Sequence, residues 1–466
     1  MRTLFKTTMC TLALATLVAC SSGKGGNNNN AFGNGLPLLF NADDGSSGFE
    51  LWKSDGTFDS TSQVRNINTG GNSNPGRFTV LNDISYFTAN DGTGLGNELW
   101  KSNGTNSGTE KVKSLNITSD FTVFKGNLYF AASDGSSDGV ELWKSDGTTA
   151  GTKRVKDINS TGSSFPGNLT VMNDTLFFSA DDGLSGRELW RSDGSEGGTL
   201  RVVDINFTTP TASGISATYT EKFAVLNDFL YFAATDGTTG QELWKSNGIL
   251  NNATRVDDIN TTSGMGSVPH ELVVYKNEVY FVADDGNGKE LWRTDTTNTT
   301  AIKVHDINAT GGSNPMYLTI ANGLLFFAAD DGVIGVELWS TDGSDLNTNY
   351  VQDINQTPTA ATGSNPIELF SFNDTLYFAA DDGINGIELW TTDGTTTSML
   401  KDINTTSVFP SDSNPYGFIE YDGTLFFGAD DGEHGAELWA TDGTTDGTVL
   451  VRDINTAPMI GSDPFK

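Results

Sequence analysis

The sequence has little of what most enzymes use for catalysis. Its 466 residues include only three histidines, His270, His305 and His434, and only two cysteines. No histidines and cysteines show the spacing of a metal site, and no nucleophile-elbow motif occurs. Since the three histidines interrupt different parts of the sequence, we expect each to have a surface or packing role. The composition therefore favours a protein without catalytic activity.

Basic residues are also scarce. There are 27 Lys and Arg against 59 Asp and Glu, which gives a formal net charge of −32. A polyanion of this kind repels nucleic acid and anionic lipid head groups, and it favours cations or basic partners. Beyond the first twenty residues the sequence shows neither helical periodicity nor a long apolar run. A helical domain is therefore not expected, nor is a membrane-spanning helix.

The N-terminal twenty residues, MRTLFKTTMCTLALATLVAC, form a separate unit. Arg2 and Lys6 precede an apolar stretch that is too short to cross a membrane, so residues 1–19 are predicted to be a secretion signal. The ending Leu17–Cys20 resembles the bacterial lipoprotein lipobox. That resemblance implies cleavage before Cys20 and lipidation of Cys20, with Cys10 lost, so that no internal disulfide can form. The alternative is an ordinary secreted protein with a stray cysteine.

The next fifteen residues, SSGKGGNNNNAFGNG, are mostly Gly, Asn and Ser. We therefore expect residues 20–35 to be the lipidated cysteine and a flexible tether, followed by a single repeat domain over residues 36–466. In a host with an outer membrane, Ser21 favours sorting to that membrane by analogy with other lipoproteins. We therefore predict that the protein is an outer membrane lipoprotein that faces either the periplasm or the cell surface. In a host without an outer membrane it is a cell-surface lipoprotein.

One tripeptide recurs along the rest of the chain. All nine tryptophans are preceded by Glu-Leu, with 43 to 54 residues between successive copies. Spacing in this range is typical of solenoids, propellers and repeat arrays. The nine are Trp52, Trp100, Trp143, Trp190, Trp244, Trp292, Trp339, Trp390 and Trp439.

One unit, residues 169–206, shows how each repeat should fold. Short turns rich in Asn, Asp and Gly separate four apolar segments, which predicts three hairpins and four antiparallel strands. Strands are expected at 169–172, 176–180, 188–190 and 200–205. Runs such as LFFSA are apolar on both faces and so indicate a strand covered on both sides. Four such strands in about 48 residues are typical of a propeller blade.

The repeat count sets the size of the ring. The first unit has at best a degenerate first strand, and the C-terminal GSDPFK is too short to supply a full one. We therefore predict an all-β propeller of nine four-stranded antiparallel blades, one of them incomplete. An eight-bladed ring with a displaced unit and an open superhelix are the alternatives.

The segment Glu141–Asn159, ELWKSDGTTAGTKRVKDIN, resembles the bacterial ELWxxDGT repeat, which is sometimes labelled hyalin-like. The resemblance covers about nine tenths of the chain and implies a repeat-built extracytoplasmic protein, without implying an activity. Asn103 and Asn247 replace the turn aspartate and Thr296 replaces the turn glycine, so these turns are expected to be looser.

The acidic residues of each repeat allow two interpretations. Aspartate in an Asp-Gly turn can accept backbone hydrogen bonds, which is an architectural role. Alternatively, the oxygen-rich turns with the following glutamate bind calcium, the one cofactor that the sequence suggests. The candidate ligands are Asp181, Asp182, Glu188, Asp330, Asp331, Glu337, Asp381, Asp382 and Glu388.

The glutamate of Glu-Leu-Trp lies on the same strand face as the tryptophan, because the two residues are two positions apart. We expect it to be partly buried and hydrogen-bonded to threonine hydroxyls and free N–H groups of adjoining turns. A ring of nine carboxylates facing the channel is the alternative.

Together these features predict a monomeric, lipid-anchored scaffold outside the cytoplasm, with no catalysis. Its partner is expected to be an envelope protein, a surface glycan or a divalent cation, and the membrane is contacted only through the anchor. The variable links between repeats, of which Phe207–Glu221 is the longest, should lie on one face and form the binding surface. A periplasmic assembly factor tethered to the outer membrane is one form of this scaffold. A propeller hydrolase or lyase that acts on polysaccharide is the alternative function.

Overall fold

The chain forms nine small antiparallel sheets arranged as the blades of a closed propeller. The structure, a computed structural model, describes residues 35–209, 211–216, 223–356, 363–406, 411–457 and 460–465. The predicted signal, Cys20 and nearly all of the tether lie outside these residues. The described residues contain one helical segment, a 3₁₀ turn at Asp345–Asn347. None of their helices is long and apolar enough to span a bilayer.

Each blade is a chain-order meander whose first strand is innermost. The first three blades contain β1 Leu38–Asp43, β2 Phe49–Ser54 and β3 Ser62–Arg65; β4 Gly76–Leu81, β5 Ile84–Ala89, β6 Glu98–Ser102 and β7 Glu110–Lys113; and β8 Asn116–Ile117, β9 Thr122–Phe124, β10 Asn127–Ser133, β11 Glu141–Ser145 and β12 Lys153–Lys156. In blade 3 the inner strand is split into β8 and β9, which both pair with β10.

The next three blades follow the same order. They contain β13 Gly167–Met172, β14 Thr175–Asp181, β15 Arg187–Ser192 and β16 Leu200–Val203; β17 Ala224–Leu226, β18 Phe229–Thr235, β19 Gln241–Ser246 and β20 Thr254–Arg255; and β21 His270–Tyr275, β22 Glu278–Asp284, β23 Lys289–Thr294 and β24 Ala301–Lys303.

Blades 7 to 9 complete the ring. They contain β25 Met316–Ala321, β26 Leu324–Asp330, β27 Val336–Thr341 and β28 Asn349–Gln352; β29 Ile367–Phe372, β30 Thr375–Asp381, β31 Ile387–Thr392 and β32 Thr397–Lys401; and β33 Tyr416–Tyr421, β34 Thr424–Asp430, β35 Ala436–Thr441 and β36 Val449–Arg452.

The predicted strands of the 169–206 unit are confirmed with shifted ends. The first hairpin turns at Asn173 and Asp174, both in the left-handed region at φ 47° and 54°, which such a two-residue turn requires. The outer strand β16 ends at Val203 and not at the predicted Ile205. Its pairing stops because the Ile205 N–H donates to the Glu188 carboxylate, 2.9 Å away, and leaves the ladder.

The hydrophobic core is divided among the nine blade-to-blade interfaces. Between blades 3 and 4, Leu176 and Phe178 of β14 pack with Trp190 against Leu142 and Val155 of the preceding blade. Comparable clusters fill the other interfaces, including the one between blades 9 and 1. The second strand of each blade is therefore covered on both faces, as its apolar run predicted.

The C-terminal segment closes the ring on the first blade, which has only three strands of its own. The Asp43 N–H donates to the Ser462 carbonyl at 2.9 Å, and the Phe465 N–H donates to the Asn41 carbonyl at 3.3 Å. The Phe465 ring packs on Phe40, with 5.5 Å between ring centroids. A few C-terminal residues thus stand in for the missing inner strand. This arrangement confirms nine blades and excludes the eight-bladed and open alternatives.

Candidate interaction surface

The glutamate of most Glu-Leu-Trp triplets connects a blade to the link that follows it. Glu388 is fully buried, and its carboxylate accepts hydrogen bonds from Ile403 N at 2.7 Å, Ser413 N at 3.1 Å and Ser413 Oγ at 2.6 Å. Burial raises the pKa of Glu388 to about 7. The predicted buried, hydrogen-bonded role is confirmed, and the alternative of carboxylates facing the channel is wrong. The hydroxyl donor is a link serine and not a turn threonine.

Blade 2 departs from this arrangement. Glu98 is fully buried, but its donor is Lys111, whose Nζ lies 3.1 and 3.2 Å from the two carboxylate oxygens. Lys111 also contacts Asp91 Oδ2 at 2.7 Å. Here the short connection to the next blade passes directly into β8. A lysine therefore replaces the backbone and serine donors that the longer links supply elsewhere.

The Asp-Gly turns between the second and third strands are held by their own aspartates. Asp182 Oδ1 accepts hydrogen bonds from Leu184 N at 2.9 Å and Ser185 N at 2.7 Å. Asp181 Oδ1 accepts one from Gly183 N at 2.7 Å. These contacts are those expected of the architectural interpretation.

The other two predicted calcium groups repeat the same geometry. Asp330 and Asp381 each accept a hydrogen bond from the N–H of a turn glycine. Asp331 and Asp382 each accept hydrogen bonds from the N–H groups two and three residues further on. The glutamates of these groups, Glu188 and Glu337, bind the N–H groups of their links. Within the described ranges, no three His, Cys, Asp or Glu side chains are arranged to hold a metal ion. Calcium binding stays a prediction.

The turns between the third and fourth strands use the same chemistry. Hydrogen bonds from the Thr148 hydroxyl and N–H lower the pKa of Asp146. Asn103, expected to make a looser turn, accepts a hydrogen bond from Thr105 N at 3.1 Å in the same way. The expectation of a looser turn at Asn103 is wrong, because an amide oxygen serves as well as a carboxylate oxygen here.

In each blade, one residue of the outer strand lies opposite the tryptophan, and the identity of this residue differs from blade to blade. In blade 4 this residue is Arg201, which lies 3.5 Å from Asp182 and 3.4 Å from Asp204. Basic side chains take this place in blades 2 to 6: Lys111, Arg154, Arg201, Arg255 and Lys303. In blades 7 to 9 the equivalent residues are Tyr350, Met399 and Leu450.

The tryptophans belong to the blade interfaces and do not form a surface platform. Seven of them are buried, and Trp244 and Trp292 are partly buried. The Trp339 indole donates to the Ala329 carbonyl at 3.1 Å. Lys113 of blade 2 lies over the Trp143 ring of blade 3, 5.3 Å from its centroid. The tryptophans thus join neighbouring blades.

The three histidines lie far apart along the chain. His434 lies in a turn and hydrogen-bonds to Asp431, 2.8 Å away, which raises the pKa of His434. His305 pairs with the exposed Asp345 at 2.6 Å. His270 begins the inner strand β21, where burial lowers its pKa. Each has the packing or surface environment that the sequence predicted.

The links and the Asp-Gly turns lie together on one face of the ring, which we call the link face. The link residue Asn159 packs under Gly183 of the next blade's turn. This face carries exposed apolar side chains, among them Phe165, Leu184 and Phe207. Phe165 takes the place of the asparagine in the usual Ser-Asn-Pro link and adopts a left-handed φ of 45°. That conformation suits asparagine and is strained for a bulky residue. Part of the longest predicted link, 207–221, lies outside the described residues.

The inner strands hold residues that the sequence analysis missed. The second residue of most inner strands forms a bulge with a left-handed φ, and its identity changes from blade to blade. Arg77 pairs with Asp120 of the next blade at 2.9 Å. Glu271 accepts from Leu318 N at 2.9 Å, and so joins blades 6 and 7. Each of these bulge residues stands two positions after a link proline, but the extra residue of a bulge has no sequence signature of its own.

These features define the chain as a repeat-built β-propeller whose blades share one set of internal contacts. Residues 230–463, half of the chain, match the family model described as outer membrane protein assembly factor BamB, PQQ_2. The chain belongs to this family. The resemblance to the ELWxxDGT repeat stays a prediction. No curated protein matches the sequence.

Solved structures with partial similarity include peptidases. A puromycin hydrolase is 11% identical with a TM-score of 0.38, over 81% of this chain and 60% of its own. A prolyl endopeptidase is 12% identical with a TM-score of 0.40, over 77% of this chain and 55% of its own. A puromycin-hydrolysing peptidase of Mycobacterium tuberculosis is 10% identical with a TM-score of 0.39, over 77% and 58%. The chain thus spans 55–60% of the length of these proteins.

Proposed function

We propose that this protein is a lipid-anchored, non-catalytic interaction scaffold of the cell envelope that takes part in outer membrane protein assembly. The observation that carries the proposal is membership of the BamB family, which is named for an outer membrane protein assembly factor. The lipobox-like Leu17–Cys20 and the tether after it supply an anchor of the kind such a role needs. The role requires a rigid surface and no reacting group.

The ring geometry supports this function in a second way. Closely similar contacts repeat at most interfaces, so they serve the scaffold and are not specific to any one blade. The residues that vary are the exposed link-face side chains and the inner-strand bulges. Variable surface groups on a regular scaffold are where recognition of a partner protein is expected.

The test is deletion of the gene in the source organism, followed by quantitative proteomics of the outer membrane. We expect lower amounts of outer membrane proteins in the deletion strain and recovery when the wild-type gene is restored. The matched variant is Cys20→Ser, which removes the lipidation site and leaves the propeller intact; it should restore the proteins less well at equal abundance. Unchanged outer membrane protein levels in the deletion strain would refute the assembly role. Full rescue by Cys20→Ser would refute the need for an anchor.

A further inference from the structure

The negative charge is distributed unevenly around the ring. Residues 307–466, which contain blades 7 to 9 and the C-terminal segment that closes the ring, include 24 acidic residues and only three basic ones, Lys401, Arg452 and Lys466. Two strand positions account for much of the difference. The residue after the tryptophan is Lys or Arg in blades 1 to 6, but it is Ser340, Thr391 and Ala440 in blades 7 to 9. The residue opposite the tryptophan is also neutral in blades 7 to 9, as described above, and in blade 1, where it is Gln63.

The link-face acids of blades 7 to 9 therefore lack the basic residue opposite the tryptophan that pairs with acids in blades 2 to 6. In blade 9, Asp431 pairs with His434 instead. In blade 4, Arg201 lies between Asp182 and Asp204, but in blade 8 the equivalent residue is Met399. Within the part of the chain that the structure describes, no group donates to one buried oxygen of Asp402. Burial together with the nearby Asp382 raises the pKa of Asp402. Among the described residues, the same oxygen has no hydrogen-bond partner in Asp353 and Asp453 of blades 7 and 9. It also has none in blades 3 to 5, so it is the missing basic residue, and not this oxygen, that distinguishes blades 7 to 9.

A second feature of this arc is an unsatisfied hydroxyl group. Tyr416, the first residue of the blade 9 inner strand, has a deeply buried hydroxyl for which the described residues supply no hydrogen-bond partner. Gly428, where four other blades have alanine, makes room for it, since a Cβ there would lie 2.5 Å from the ring. Asp430, Glu437 and Asp463 are the charged groups around this hydroxyl. An unsatisfied buried hydroxyl among carboxylates is costly unless a ligand group supplies a partner.

Exposed apolar side chains accompany the acids. Val333 and Ile384 project from the Asp-Gly turns of blades 7 and 8, where they are 70% and 73% exposed. Tyr350 on the outer strand of blade 7 is half-exposed. These acidic and apolar groups are spread over three neighbouring blades and do not converge on one position. They therefore suit an extended polypeptide better than a single ion.

We propose that the link face of blades 7 to 9 is the docking surface for a basic segment of a protein partner, whose lysine or arginine side chains take the places that basic residues fill in blades 2 to 6. The inference deepens the proposed scaffold function and rests on it for the identity of the partner as a protein. Charge complementarity of this kind sets specificity and the association rate. It also predicts that binding weakens as salt concentration rises.

The test uses the full propeller without its signal and a synthetic peptide that contains lysine and leucine. The dissociation constant is measured at low and high salt, with a peptide in which glutamate replaces lysine as the control. The key variant is Tyr350→Arg with Met399→Arg and Leu450→Arg, which restores the basic residues that blades 3 to 5 carry. This variant is expected to fold, since Arg201 and Arg255 already make these pairs with aspartates. We expect it to bind the peptide at least about tenfold more weakly.

Matched variants separate the surface from general charge. Asp353→Asn with Asp402→Asn and Asp453→Asn should weaken binding, and Asn66 shows that blade 1 already has asparagine at this position. The same three changes in blades 3 to 5, Asp157→Asn, Asp204→Asn and Asp258→Asn, should leave peptide affinity unchanged. Tyr416→Phe should weaken binding about threefold.

Three results would overturn the inference. They are equal peptide affinity of the wild type and the triple-arginine variant, equal losses in the two asparagine sets, and preference for the glutamate peptide. Unchanged affinity of Tyr416→Phe would remove that residue from the surface. Peptide binding does not depend on the source organism. A failure here is therefore distinguishable from a failure of the gene-deletion experiment, which tests the assembly role.

Discussion

Lys111 is expected to contribute more to stability than any basic residue that pairs only at the surface. It is the donor to the fully buried Glu98 and also contacts Asp91. Replacing it by methionine, the residue found at this position in blade 8, leaves a buried carboxylate without its partner. Removing one member of a buried ion pair typically costs about 3–5 kcal/mol. Because the Lys111 side chain is 27% exposed, we expect Lys111→Met to cost about 3 kcal/mol.

The assay is denaturant-induced unfolding followed by tryptophan fluorescence at pH 7 and at pH 3. Burial opposes the shift, but the Lys111 hydrogen bond and charge hold the pKa of Asp91 well below its usual value. A carboxyl whose folded-state pKa is lowered contributes stability above its unfolded pKa, and that stability is lost as the pH falls through the folded pKa. The cost of Lys111→Met should therefore be full at pH 7 and smaller at pH 3.

The reciprocal change is the control. Met399→Lys places a lysine beside Asp382 and Asp402 in blade 8, and we expect it to stabilise the protein by about 0.5–1 kcal/mol. A loss below about 1 kcal/mol for Lys111→Met at pH 7, or a loss that is equal at pH 3, would contradict the role assigned to Lys111.

Three further predictions follow from the same contacts. Burial raises the pKa of Glu188, Glu388 and Glu437 to about 7 from an unfolded value near 4.5, so the stability they contribute is present below pH 4.5 and is lost as the pH rises to 7. The loss is at most about 3 kcal/mol for each glutamate. Unfolding midpoints that rise between pH 5 and pH 8 would contradict this prediction. Phe165→Asn should stabilise the protein by about 1 kcal/mol, because asparagine adopts the left-handed φ of this link more easily; a lower denaturation midpoint would show that the Phe165 ring makes a stabilising contact. Addition of a chelator should leave the thermal midpoint unchanged, because the turn carboxylates already accept backbone N–H groups; a lowered midpoint would instead support the calcium sites.

The repeat made most of the fold predictable. Turn residues such as Asn173 and Asp174 mark the hairpins, and the apolar runs identify the strand that is covered on both faces. The number of blades follows from counting the triplets. How the ring closes was not predictable in detail, because it depends on Phe465 reaching Asn41, which lies more than 400 positions away in the sequence.

The candidate surface was harder to predict, for two physical reasons. The partners of Glu388 are Ile403 and Ser413, and which link groups reach a buried carboxylate is set by the packing of one blade on the next. The bulges that hold Glu271 and Tyr317 add one residue to a strand, and the apolar pattern does not record that addition. The change from Ser-Asn-Pro to Ser-Phe-Pro at Phe165 was visible in the sequence, and it could have been identified as an exception.

A ring in which each blade contacts only two neighbours can vary the charge of some blades without disturbing the others. Glu337, Glu388 and Glu437 keep their link contacts in the blades that have lost their basic residues. The scaffold therefore does not need the missing lysines and arginines. Uncompensated acids repel one another and reduce stability, so their restriction to one third of the ring has a cost that the fold does not recover. A basic partner bound to blades 7 to 9 would offset that cost, and so would the arginines of the triple variant. The peptide-bound wild type and the triple-arginine variant should therefore both be more stable than the free wild type. Only the wild type should gain stability when the basic peptide is added.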